Sequence, residues 1–571
     1  MKPTLTIAMI VRNERENLEQ LLPDVTGAVD DVVIVDTGSG DGTPEVAERF
    51  GARVFSRPWD DDFSAARNRG LAEVHTSHVL WLDADDRVEA EGLRRLLEAI
   101  RREPTKAWML LLVNEAATPT GVTSCWQMRA FPAASSHRFE GRIHEQVMPS
   151  LQADGTPIDR LDVTIRHLGY LDSDDVLEKS RRNLEMIRRE AAETTELGSN
   201  QLFHWMKAAS RCGELGEACE VARRLAEAPP AGTPGEVRQA AFVEWGRLEA
   251  QRGRLDEAVS VLERAIQECP DDPVARFFLG DLHRRQGNYL GALDQLLVAR
   301  VSPVRPGNLP VPALGLAHGI RTLLGETLER LNRPADAVAA YREILVDLPD
   351  DRIAARGLVR ALAAAGDSTG AAKMLDQLPA DTFPDRERLR LEAVIAFDSA
   401  RDAAAFDLFR RLEREEPRGW SAPLHLGHLA LRAGHVEEAR AHYERALDRA
   451  DQPEIRVGLA AALLEAGEPR ECLSQCAIAA DRSHGRALPA GTEALSGEAL
   501  FRLGRIDEAR EAFEMHLKRL GPDPRVLARL ADCYREVGAP AAARSGYEAA
   551  LRLAPGLSEA VRGLEALSAA P

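Results

Sequence analysis

Between residues 246 and 555 small residues and prolines return at a fixed period, and that period dictates the architecture of most of the chain. Gly246, Ala258, Ala265 and Pro270 are followed thirty-four residues on by Gly280, Ala292 and Ala299. The same offsets give Gly325, Ala337 and Pro349; Val359 and Ala371; Ala393, Ala405 and Pro417; and Gly427, Ala439 and Ala446. They return as Gly497, Ala509 and Pro522, and as Ala531, Ala543, Ala550 and Pro555, with degenerate units around Ala461 and near Met206 and Ala218. Small residues at fixed positions let two helices approach, and Pro marks the exit from the second. Each period is thus a helical pair. Such a pair cannot bury its apolar face alone, so neighbours must stack into a solenoid.

This period and small-residue pattern form the tetratricopeptide signature, with about nine units predicted. Leu279, Phe278 and Tyr443 are expected to fill the space between units. The Pro-rich SPVRPGNLPVPALG, residues 302–315, interrupts the series and is expected to be a plain connection or a rim contact. GLSEAVRGLEALSAAP, residues 556–571, reads as a capping helix. An array of this kind presents an extended surface suited to a peptide or protein segment, or serves self-association. Cys472 and Cys476 are four apart on one such helix; with no second ligand pair nearby, they read as a helix face rather than a zinc site.

The first hundred residues alternate strand-like and helix-like patterns, which predicts an α/β domain with a parallel sheet covered by helices. TLTIAMIV is followed by Asn13 as the expected cap of a helix through Leu18, Leu21 and Leu22. DVVIVD ends at Asp36 and runs into the Gly-rich turn TGSGDGT, with Pro44 placed for the first turn of a helix. ARVFS is the third strand. The basic helical segment DDFSAARNRGLAEV leads to VLWLDADD, Val79 to Asp86. Here a strand delivers carboxylates to its own C-terminal end, where ligands of open α/β sheets collect. Asp83 and Asp85 can hold a hard divalent cation, Mn²⁺ or Mg²⁺, bridging a diphosphate.

The net charge of -18 argues against nucleic acid as a partner. Seven scattered cysteines fit a reduced, cytoplasmic protein. No apolar run is long enough to cross a bilayer, and TLTIAMIV is too short for an export signal.

Taken in order, IVRNE (Ile10 to Glu14), VDTGSGDGT (Val35 to Thr43), WDDDFSAARN (Trp59 to Asn68) and WLDADD (Trp81 to Asp86) resemble the motifs of inverting, family 2-like glycosyltransferases of the GT-A fold. The resemblance covers roughly the first third of the chain and extends to GRIHE and HLGY. It implies a Rossmann-like domain that binds a nucleotide-sugar donor, a UDP-sugar being the expected one. Val11, Glu14 and Asp36 would line the nucleoside pocket, Arg67 would approach the diphosphate, and Asp83 would lie near ribose and metal. Asp85 would be the main metal ligand, with His167, or secondarily His144, as a third. Glu145 would be the general base that inversion requires. Bacterial relatives of this layout glycosylate peptides, which makes a peptide or protein acceptor an expectation here. The alternative is a nucleotide-binding scaffold whose repeats are its working part.

These readings divide the chain into a GT-A domain over 1–170, a linking helix over 171–198 with Leu177, Leu184 and Ile187 on its apolar face, and the solenoid with its capping helix over 199–571.

Overall fold

The computed structural model describes residues 4–143, 145–169, 173–193, 197–304, 306–483 and 488–569. The chain forms two compact units, Met1–Gly357 and Leu358–Pro571.

The first unit opens with β1 (Leu5–Val11), α1 (Arg15–Val25), β2 (Asp31–Asp36), α2 (Thr43–Arg49), β3 (Arg53–Ser56), α3 (Phe63–Leu71) and β4 (His78–Trp81). It continues through β5 (Asp86–Val88), α4 (Ala90–Arg102), β6 (Ala107–Asn114), β7 (Thr123–Pro132), α5 (Met148–Ala153), β8 (Ile158–His167) and α6 (Ser173–Glu193). The strands form one eight-stranded sheet of order β3-β2-β1-β4-β7-β6-β8-β5. β3, β2, β1 and β4 are parallel, as helical crossovers require. β7 runs antiparallel to both β4 and β6, and β5 antiparallel to β8. The parallel arrangement expected of the first hundred residues is thus present in β1 to β4, and the later strands β7 and β8 make the whole sheet a mixed one. The cause is local: β6 and β7 follow each other without a crossover helix, which only an antiparallel pair allows.

Leu18, Leu21 and Leu22 are buried on one face of the sheet with Leu93, Leu96 and Ile100 of α4. Trp81, Phe131 and Phe139 form the core of a second cluster. Asn13 does not cap α1. It sits at φ +56, where its Oδ1 accepts from the Gly40 N–H at 2.9 Å and its own N–H donates to Ser39 Oγ at 2.8 Å, binding the β1–α1 loop to the Gly-rich turn. Asparagine tolerates the left-handed region better than most residues. Along α6, Leu184 and Ile187 are buried but Leu177 is exposed.

Among the described residues, helices α7 to α27 lie within 199–569 and form ten successive pairs followed by one further helix. The pairs around Met206 and Ala461, degenerate in sequence, are both present. Asp-Pro steps start two of the helices: Asp272 accepts from the Val274 N–H at 2.8 Å, and Asp523 from the Arg525 N–H at 2.8 Å. The turn between paired helices needs a left-handed residue, supplied by Gly253 and Gly287 and, unusually, by Ala400 at φ +52.

The periodic glycines lie where a bulky side chain crosses. In the second unit a Cβ on Gly427 would fall 2.7 Å from the Tyr443 ring and one on Gly458 2.5 Å from it, so the ring is clasped between two consecutive pairs. Gly458→Val is expected to destabilise this unit by about 2–3 kcal/mol through overpacking. A lowered helical melting temperature in circular dichroism is the check, and an unchanged one would refute the clasp.

The Pro-rich segment is not a plain connection. The Trp126 N–H donates to Gly307 O at 2.7 Å, and Ser124 and Val311 exchange backbone hydrogen bonds at 3.2 and 3.3 Å. Since β6 holds one edge of β7, these residues occupy the other edge, which β4 leaves beyond its pairing at Ala130. Asn308 also bonds Glu236 on a repeat helix and accepts from Arg160 Nη2 of β8 at 3.3 Å. A segment from within the repeats thus completes the sheet beside the carboxylate loop.

Candidate active site

β4 ends at Trp81, and the chain turns through Leu82 and Ala84, both buried, so that Asp83, Asp85 and Asp86 emerge together. Short-range bonding fixes the turn: Asp86 Oδ2 accepts from the Asp83 N–H at 2.8 Å. β5 then pairs with β8 in a register that sets Asp86 opposite His167. His167 Nδ1 lies 3.0 Å from Asp86 Oδ1 and 3.3 Å from Asp85 Oδ1. A Cβ on Gly169 would meet both Asp85 Oδ2 and His167 Nε2, so these two atoms converge on one spot that only glycine leaves open.

Ligand atoms of Asp83, Asp86 and His167 all lie within 4.8 Å of one another. Asp86 is nonetheless the poorest ligand of the loop, because it is fully buried and its oxygens are engaged by His167, Arg129 and the Asp83 amide. Asp83 and Asp85 remain partly exposed. Two carboxylates and one imidazole suit Mn²⁺ or Mg²⁺, hard ions that take oxygen ligands, and Mn²⁺ readily accepts a histidine. The electrostatics agree. Asp85 is pushed up to about 6, by burial first and then by Asp83, Asp86 and Glu14, against the pull of His167. Burial would lower His167, but the hydrogen bond to Asp86 and the charges of Asp85, Asp86 and Asp83 hold it above its ordinary value. A loop this crowded with negative charge is one that a cation relieves.

Arg67, on α3, is buried. Its Nη2 donates to Asp83 Oδ1 at 2.9 Å and its Nε to Glu145 Oε1, while its Cζ lies 4.2 Å from the Trp81 ring centroid. Burial would lower this guanidinium, but Glu145 and Asp83 outweigh it and hold it above its usual range. Burial would raise Asp83; Arg67 and Arg129 overcome that and hold it at about 2. Arg67 therefore bridges two site carboxylates. Glu145 follows a loop that the Ser64 hydroxyl and the Phe63 N–H tie to α3 through Gly141 and Arg142.

At the ends of β1 and β2, Val11 and Asp36 stand side by side in register. The Val11 carbonyl accepts from the Thr37 N–H, and Asp36 accepts from the N–H groups of Gly38 and Ser39 at 3.1 Å. Glu14 Oε2 accepts from Asn17 Nδ2 at 2.8 Å, and Arg87 bonds Asn17 in turn. The structure thus places Val11, Glu14 and Asp36 at one edge and Arg67, Asp83, Asp85, Glu145 and His167 beside it. His144 lies outside the described residues. Sequence reasoning missed Asp86 and Arg129. The third aspartate of the loop was in plain view, but an arginine inside strand β7 gives no local signal.

Sheet order, carboxylate loop and helical pairs together define a GT-A domain joined to a tetratricopeptide solenoid. Residues 6–129 match the glycosyl transferase family 2 model. Residues 239–282 and 322–387 match tetratricopeptide repeat models, and 391–531 a tetratricopeptide repeat-like domain. A TPR repeat-containing protein of Synechococcus elongatus is 30% identical over 278 residues, 47% of this chain and 67% of that protein. The SPbeta prophage-derived glycosyltransferase SunS of Bacillus subtilis is 24% identical over 196 residues, 33% of this chain and 46% of SunS. A solved tetratricopeptide repeat protein from Parabacteroides merdae aligns at 16% identity with a TM-score of 0.37, covering 46% of this chain and 98% of that one. The chain belongs to the family 2-like glycosyltransferases that carry tetratricopeptide repeats. It spans about two thirds of the first curated relative and less than half of the second. Among the described residues no helix is long and apolar enough to cross a membrane.

Proposed function

We propose that this chain is a metal-dependent, inverting glycosyltransferase that moves a sugar from a UDP-linked donor to a hydroxyl or thiol of a peptide or protein held by the repeats. The observation that carries this reading is the convergence of Asp85 Oδ2 and His167 Nε2 beside Asp83, at the carboxyl end of β4. Val11, Glu14 and Asp36 are assigned to the nucleoside, and Asp83, Asp85 and His167 to Mn²⁺ or Mg²⁺. When bound, the cation would neutralise charge developing on the departing diphosphate.

The chain's own residues do the rest. Arg67 fixes Asp83 and Glu145 at the two ends of one guanidinium, which sets the spacing between the donor-side carboxylate and the base. Glu145 is assigned the acceptor's proton, and inversion follows from one displacement with the base opposite the leaving group. The tetratricopeptide surface supports a polypeptide acceptor. Buried thiols at Cys125, Cys219, Cys472, Cys476 and Cys533 fit the reducing cytoplasm.

The test is a donor screen: full-length protein with Mn²⁺ and a panel of nucleotide sugars, following nucleoside diphosphate release with and without EDTA. EDTA-sensitive release from a single UDP-sugar is expected. No release and no binding of any UDP or GDP ligand would replace the enzyme by a scaffold.

A further inference from the structure

Among the described residues Arg129 is the largest fully buried side chain, and it lies beneath the aspartate loop rather than in it. Its Nη1 donates to Asp86 Oδ2 at 3.0 Å, approaches the Trp81 carbonyl at 3.5 Å, and stands 3.6 Å from Asp83 Oδ2. Its Nε donates to Gln127 Oε1 at 2.9 Å, and its Cζ lies 3.7 Å from the Trp81 ring centroid. A guanidinium taken wholly out of water is costly to keep, and it persists only where partners surround it. Here each partner belongs to β4, to the turn that follows it, to the first residue of β5, or to β7 itself.

Asp86 carries the arrangement onward. One of its oxygens takes Arg129 together with the Asp83 N–H, and the other takes His167 Nδ1. A carboxylate on the far nitrogen of a ligating histidine fixes the tautomer and aims the ring. Arg129 thus stands behind two of the three residues assigned to the cation: the backbone of Asp83 and the ring of His167 both depend on Asp86, and Asp86 depends on Arg129.

We propose that Arg129 is a positioning residue of the metal site, locking Asp86 so that Asp83 and His167 are presented together to a divalent cation. The proposal rests on the cation reading given above, and it makes a prediction of sign. A positive charge close to a cation site weakens metal binding by simple repulsion, so if charge were its main effect, removing Arg129 would tighten binding. Positioning requires the opposite.

The experiment is titration of the full-length chain with MnCl₂ alone, with free Mn²⁺ read by electron paramagnetic resonance well below the unfolding temperature. Arg129→Met is expected to weaken Mn²⁺ binding about tenfold or more, as loss of support behind metal ligands does. Because Arg129→Met leaves Asp86 without its counter-charge and could prevent folding, Arg129→Lys and Gln127→Ala are measured beside it. Lysine keeps the charge without the planar fork, and alanine frees the guanidinium on one side; both should weaken Mn²⁺ binding severalfold in a folded protein. Folded Arg129→Lys and Gln127→Ala chains that bind Mn²⁺ as tightly as the wild type, or more tightly, overturn the proposal. A wild-type chain that binds no Mn²⁺ and releases nothing from any donor overturns instead the reading beneath it.

Discussion

Asp85→Ala is expected to abolish EDTA-sensitive donor cleavage, with a fall on the order of a thousandfold, while making the metal-free protein more stable at neutral pH. The two effects share one cause. Asp85 sits at about 6 in the folded chain against an ordinary 3.8, chiefly because burial penalises its charge and other carboxylates crowd it. Above pH 6 the folded state carries a charge that the unfolded state carries more easily; below pH 4 both are protonated and the difference vanishes. Folding stability therefore falls as pH rises through the window from 4 to 6, and removing the group recovers up to about 3 kcal/mol at pH 7.5 in EDTA. Thermal unfolding of wild type and variant at pH 4 and pH 7.5 checks this. A variant less stable at pH 7.5 without metal would show that Asp85 is a structural carboxylate.

Arg67→Met should have the opposite profile, losing both activity and stability. It strands Glu145, whose carboxylate is largely buried, and leaves Asp83 with Arg129 alone. Removing one partner of such a set costs about 3–5 kcal/mol. The loss should appear locally, as faster amide hydrogen exchange in β4 and in the loop bearing Glu145, with the second unit unchanged. Arg67→Lys should recover only part of it, since a single ammonium cannot donate along both the Nε and Nη2 directions. Wild-type exchange rates in Arg67→Met would mean that the bridge contributes little to the fold.

Much of this molecule could be read from its residues because the informative signals are short in range or strictly periodic. The strand ending at Asp36, Pro44 at the start of α2 and the spacing of the helical pairs all follow from local patterns. Glycine at Gly427 was legible because the space it leaves recurs from pair to pair, whereas Gly458 lies three residues short of the periodic position at Ala461 and was not. What escaped reading depends on strand pairing. The antiparallel run of β7 decides that Arg129 lies beneath Asp86, and the β5–β8 register decides that Asp86 faces His167. Neither is written in the neighbourhood of the residue concerned. Asn13 failed as a cap for a similar reason: its partners are Ser39 and Gly40, on a turn that folds back from the next strand.

The pairing of residues 307–311 with β7 bears on how the chain is made. Trp126 leaves the ribosome about 180 residues before the segment that covers it, a delay of roughly ten to forty seconds at common rates of synthesis. During that interval the edge of β7 beyond β4 has unspent N–H and C=O groups, the kind of edge that recruits stray strands. Ending the chain after α6 would make that interval permanent. The transferase sheet is therefore a late product of synthesis, finished only when the repeats have begun to fold. Exchanging the repeats for another array would uncover an edge of β7 as well as replace the helical surface.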